Sequence, residues 1–147
     1  MGTVWDKMQN SCFLTATRGV AAVEFALLCP LYIFLVTGMT AYGVYFGAAH
    51  SLQQLSADAA RIAVAGLSRA ERQQLATAYI AQNSGRYMFV QPDNLSVNID
   101  DSAADGTQFE VTLRYDARVL PIWGLLEGLP LPGQTILRSS TIRIGGL

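Results

Sequence analysis

Residues 25–46 read FALLCPLYIFLVTGMTAYGVYF, 22 positions without one charged side chain. At a helical rise of about 1.5 Å per residue this run covers ~33 Å, enough for the ~30 Å hydrocarbon core of a bilayer. A cleavable secretory signal has an apolar region of only about 7–15 residues and a small-residue exit site. Here the run is longer and ends on Tyr42, Tyr45 and Phe46, where an interfacial aromatic belt belongs. A lipoprotein signal fits poorly: Cys29 follows Ala26, Leu27 and Leu28, without the small residue expected directly before a lipidated cysteine.

Composition agrees with a membrane anchor. The chain has 147 residues, one domain's worth, of which 51% are hydrophobic and 14% charged. Soluble domains carry roughly 25% charge. Burying the apolar run inside a large core is the alternative, but too little chain remains to cover it. Lys+Arg 10 against Asp+Glu 11 nets −1, which leaves no electrostatic footprint for nucleic acid. Lys7 is the single lysine, so there is no polybasic lysine cluster for anionic lipid. One histidine and two cysteines fall short of the four or so ligands of a structural zinc site and of a disulfide framework. No metal and no cofactor are expected.

Charge sets the orientation. Lys7 and Arg18 outweigh Asp6 before the span, whereas Asp58 and Arg61 balance after it. The positive-inside rule places the N-terminus in the cytoplasm and the larger C-terminal part outside.

Past the span the helical period continues. Leu52, Leu55, Ala59 and Ile62 recur at spacings of three and four, with Gln53, Gln54, Asp58 and Arg61 on the other side. One helix from near Val20 to Ala65 is expected, with Gly66 as its stop. Ser68-Arg69-Ala70-Glu71 reads as a capping box opening a second helix that runs to about Asn83, with Leu75, Tyr79 and Ile80 apolar.

After Gly85 the period becomes two. Leu95, Val97 and Ile99 alternate with polar residues, as do Phe109, Val111, Leu113 and Tyr115. The two runs make an antiparallel hairpin across a turn at 101–106. Residues 87–90 are expected to add a short strand, 119–133 an apolar loop broken by prolines and glycines, and 134–144 a last strand. The fold class is thus α+β and membrane-anchored: a long helix, a second helix, and an antiparallel sheet of about three strands. The expected divisions are 1–19 a cytoplasmic leader, 20–47 the span, 48–66 its continuation outside, and 67–147 a small α+β module.

The junction RGVAAVEFA at 18–26 is the informative segment. Glu24 sits inside an otherwise apolar helix, where an ionised carboxylate costs about 2.5–3.5 kcal/mol at the bilayer centre and less near the edge. Cleavage after Gly19 would give Val20 a free amine ~6 Å along the helix axis from Glu24. The two groups can then neutralise each other, within a chain or between neighbours. The alternative is that Glu24 snorkels to the cytoplasmic interface.

Gly19, then Glu24-Phe25 heading an apolar helix that contains Pro30, resembles the type IV prepilin processing junction. The run RGVAAVEFALLCPLYIF at 18–34 is similar to the start of TadE-like proteins, minor pseudopilins of tight-adherence (Flp) pilus systems. SADAARIAVAG at 56–66 is similar to that family's post-membrane helix. The chain is longer than the major pilins and shorter than TadG-like relatives, which leaves a TadE-like component, with a TadF-like one close behind.

The resemblance implies cutting between Gly19 and Val20 by a prepilin peptidase, with Glu24 and Phe25 guiding assembly and Pro30 kinking the helix. It implies pilins, other pseudopilins and inner-membrane platform proteins as partners, with the lipid bilayer around the span and no nucleic acid or small-molecule substrate. It also implies a single-pass bacterial inner-membrane protein with a periplasmic module and no enzymatic activity. The rival is an uncleaved, signal-anchored periplasmic binding or enzymatic domain.

Gly38, Ala41, Gly43 and Gly47 are either a helix-packing face or ordinary transmembrane small residues. His50 reads as an interfacial side chain. Asp100, Asp101 and Asp105 lack the alternating acidic spacing of a calcium loop and read as a hydrophilic turn. Leu120, Ile122, Trp123, Leu125 and Leu126 either form an exposed contact patch or cover the open sheet face.

Overall fold

A computed structural model describes residues 5–101, 107–124 and 132–143, with residues 5–18 and Asp101 as backbone only. The chain divides into two compact units, residues 1–39 and 40–147.

The first unit is helical. Helix α1, Trp5–Ala63, runs unbroken through Pro30, so helical backbone begins ahead of the expected start near Val20. Between residues 20 and 39 the large apolar side chains are bare on every side, among them Val23, Phe25, Leu31, Ile33 and Met39. Thr37 is accommodated by donating its hydroxyl to the Ile33 carbonyl at 2.7 Å.

The second unit holds the core. Within it, α1 contributes a stripe of mostly small residues: Ala48, Ala49, Leu52, Leu55, Ala59, Ala60 and Ala63 are all buried. Ser56 joins them, its hydroxyl satisfied by the Gln53 carbonyl at 2.9 Å. Ile62, expected on this face, is 40% exposed; the stripe turns onto Ala60 and Ala63 instead.

The helix ends at Ala63, two residues before the expected Ala65, where tightened turns bond Val64, Ala65 and Gly66 to Arg61, Ile62 and Ala63. Gly66 is required here. A Cβ on it would stand 2.8 Å from both the backbone nitrogen and Cγ of Arg72.

Helix α2, Arg69–Asn83, then starts as the capping box dictates. The Ser68 hydroxyl accepts from the Glu71 amide at 3.2 Å, while Glu71 reaches back to the Leu67 amide at 2.9 Å. Its core positions are Ala76 and Ile80; Leu75 and Tyr79 are half-buried.

Three strands follow: β1 Leu95–Asp101, β2 Gln108–Asp116 and β3 Thr135–Arg143. They form one antiparallel sheet in the order β1-β2-β3, with Leu95 opposite Tyr115 and Tyr115 opposite Ile136. The period-two reading of β2 holds in full: Phe109, Val111, Leu113 and Tyr115 are buried and join the α1 stripe in one cluster. Both sheet edges are capped by glutamines from the helices. Gln53 donates to the Ser139 carbonyl on β3 at 3.0 Å, and Gln73 to the Ile99 carbonyl on β1 at 3.3 Å. Such caps occupy groups that would otherwise template pairing with another chain.

The strand expected at 87–90 is a turn. Phe89 has φ of 62°, a left-handed conformation that no strand accommodates. The apolar loop after β2 covers the core: Leu120 and Ile122 are buried, and the Trp123 indole donates to the Ala117 carbonyl at 2.6 Å. Leu125, Leu126 and Asp105 lie outside the described residues.

Candidate functional site

The residues of the predicted junction all lie on α1. Gly19 is helical, and a Cβ placed on it would meet nothing within 4 Å. Val20, Glu24 and Phe25 are exposed, and Glu24 makes no hydrogen bond or ion pair with any described side chain. Val20 and Glu24 are four residues apart, which sets them one above the other on one face. Pro30 is exposed within the continuous helix. Such a surface is apolar all round, with one acid and no internal partner for it among the described residues.

The four small residues separate into two kinds. Gly38 and Gly43 are open: a Cβ placed on either would meet no atom within 4 Å. Ala41 is buried at 1% exposure, and Gly47 lies under the Phe89 ring, whose Cε2 would be 3.0 Å from an added Cβ. The second pair therefore serves the fold of this chain.

The Phe89 turn is clamped from the sheet. The Tyr115 hydroxyl, at the end of a fully buried side chain, donates to the Phe89 carbonyl at 3.0 Å and accepts from the Gln91 amide at 3.3 Å. Burial pushes the Tyr115 hydroxyl pKa up, so it remains a donor.

A second tyrosine network joins α1, α2 and the turn after α2. Tyr87 donates to Asp58 at 2.9 Å and lies 3.1 Å from the Tyr79 hydroxyl; Asp58 also pairs with Arg61 at 3.2 Å. Desolvation, then the bonds to Tyr79 and Asp58, push the Tyr87 hydroxyl far above the ordinary tyrosine range. Beside it a cleft of about 380 Å³ is lined by Ser51, Gln54, Tyr79, Asn83, Arg86, Tyr87 and Met88. Sequence patterning placed Asp58 on the polar side of α1 and carried no signal for its partner 29 positions on.

At one end of the sheet a cleft of about 400 Å³ includes Arg114, Asp116 and Arg118. Asp116 accepts from the Arg118 amide at 3.0 Å and from its guanidinium, which holds the carboxyl down at a pKa of about 2. Asp100, one of the three acids weighed as a calcium loop, pairs with Arg69 at 2.7 Å. His50 is exposed. Among the described residues no three of His, Cys, Asp and Glu gather in a way that would hold a metal ion.

Residues 19–61 match the family model described as TadE-like protein, the family that the junction resembles. No curated protein and no solved structure matches the chain.

Proposed function

With a TadE-like segment at residues 19–61 as the premise, we propose that this protein is a non-enzymatic structural subunit of a tight-adherence pilus or related secretion machine. It acts as a minor pseudopilin, held in the bacterial inner membrane with its N-terminus cytoplasmic and its α+β module periplasmic. The observation that carries this reading is the surface of α1 over residues 20–39, bare and apolar on every side and interrupted by one acid four residues after Val20 that has no partner among the described residues.

A prepilin peptidase cuts between Gly19 and Val20. That bond is helical in the free protein, so the peptidase must draw it out before cleaving. Glycine costs about 1 kcal/mol relative to alanine inside a helix, which makes unwinding easier here than at the alanines that follow. The missing side chain also lets the backbone enter a narrow extended cleft. Once the leader is gone, Val20 carries an amine. Glu24 pairs with it or with the amine of a neighbouring subunit, because an ionised carboxylate in lipid is unfavourable until it is neutralised. Pro30 removes one backbone bond and bends the packed helix. Gly38 and Gly43, open in the single chain, offer neighbours a place for close backbone approach. Pilins, other pseudopilins and the inner-membrane platform are the partners that such a helix meets.

N-terminal sequencing of protein extracted from membranes tests the reading. Material beginning at Val20, a heavier species retaining the leader after Gly19→Leu, and loss of piliation with an inserted Glu24→Gln variant are the expected results. Leader-bearing protein in cells that make working pili, or normal piliation with E24Q, would refute it.

A further inference from the structure

The environment of α1 changes within a single turn. From Val20 to Met39, 68% exposed, the large apolar side chains face outward in all directions. At Ala41 exposure drops to 1%, and from there the helix carries a buried stripe that belongs to the folded core. A helix bare all round can be surrounded by acyl chains. A helix already covered by a module with charged and hydrogen-bonding surfaces cannot lie in hydrocarbon, where such groups find no partners. Lipid contact on all sides therefore ends at Thr40. Residues 20–40 measure ~30 Å along the axis, the thickness of the hydrocarbon core, so nothing is missing from the span.

Three aromatic residues follow directly. Tyr42 packs tilted and Tyr45 edge-on against Phe46, with ring centroids 6.2 and 6.0 Å away. Tyr42 is 37% and Phe46 54% exposed, an apolar surface left bare immediately above the place where lipid stops. Aromatic rings with a polar tip favour the headgroup layer.

We propose that the outer hydrocarbon boundary crosses α1 at Thr40, and that the Tyr42–Tyr45–Phe46 cluster seats the folded module on the phospholipid headgroups. This rests on the reading of α1 as a membrane span. It also sets the depth of the acid: Glu24 is 16 residues before Thr40, ~24 Å, so it lies about 6 Å inside the cytoplasmic boundary. Were hydrocarbon to reach Gly47, Glu24 would stand ~34 Å from the outer boundary and would be free of lipid. Under the proposal Val20 falls at the inner surface, within reach of a membrane-embedded peptidase, and Glu24 does not.

The test uses the full chain in phosphatidylethanolamine–phosphatidylglycerol vesicles. In a background carrying Cys12→Ser and Cys29→Ala, single nitroxide labels are placed through Tyr32→Cys, Met39→Cys, Gly43→Cys and His50→Cys. All four positions are exposed and none belongs to the aromatic cluster or the core. Power saturation then compares collision with oxygen and with a polar nickel chelate. Oxygen should dominate at 32 and 39, and the ratio should have fallen by 43 and lie at least tenfold lower at 50. Oxygen dominance persisting at 43 would overturn the boundary while leaving the span intact. Nickel dominance at 32 would overturn the membrane reading and the proposal with it.

Discussion

Replacing Tyr115 by phenylalanine removes one oxygen atom from the middle of the sheet and leaves the buried ring in place. That oxygen holds the 89–91 turn twice, as donor to the Phe89 carbonyl and as acceptor from the Gln91 amide. A buried polar group that loses its partner costs about 1–3 kcal/mol, and two are involved, although the turn can partly relieve them by opening to water. Phe89 also sits at φ of 62°, which costs on the order of 1–3 kcal/mol and persists only because its surroundings enforce it. Opening the turn recovers some of that strain but lifts the Phe89 ring from Gly47. The net loss expected for Y115F is about 2 kcal/mol. With m of about 1–3 kcal/mol/M in urea, the midpoint should fall by roughly 1 M. Urea unfolding of the full chain in detergent, followed by Trp123 fluorescence in a Trp5→Phe background, reads this directly. Amide exchange at Gln91 should accelerate in parallel. A midpoint shift below about 0.3 M with unchanged exchange at Gln91 would refute the clamp.

Two further outcomes follow from the same geometry. Gly66→Ala places a carbon 2.8 Å from the Arg72 backbone nitrogen, which cannot swing aside, so α2 must shift at a cost of about 1–3 kcal/mol. Thermal melting should show a lowered transition, and a wild-type melt would refute the close approach. The Tyr87 hydroxyl is raised above its ordinary value of 10.0, so the neutral form is the one that the fold favours. Its contribution is complete below pH 10 and is lost as pH rises beyond it. Stability measured from pH 9 to 12 should fall more steeply for the natural protein than for Tyr87→Phe, and equal slopes would count against the network.

Where a pattern depends on neighbours in the chain, it was readable. The Ser68–Glu71 cap, the switch to period two after Gly85 and the alternation of β2 all act over a few residues, and each lies where it was expected. The positions that failed are those decided by partners far along the chain. Residues 87–90 look extended by composition, yet the hydroxyl of Tyr115 pulls them into a left-handed turn. Ile62 looks like core by hydrophobicity, yet Ala60 and Ala63 occupy its place. Alanine allows closer backbone approach than a branched side chain does, and a hydropathy pattern does not record how near two elements come.

The same division runs through the functional reading. Sequence alone determined that α1 is long and apolar enough to cross a bilayer, and that Glu24, the acid at the head of its apolar run, follows a glycine at a prepilin-like spacing, since length, charge and local spacing are properties of the linear chain. Only the tertiary structure decided which of the small residues stay open: Ala41 and Gly47 are taken by the core and the Phe89 ring, while Gly38 and Gly43 are not. It likewise decided that the apolar loop covers the sheet through Leu120 and Ile122. Burial is a relation between segments distant in sequence, so it exists only once the chain has folded.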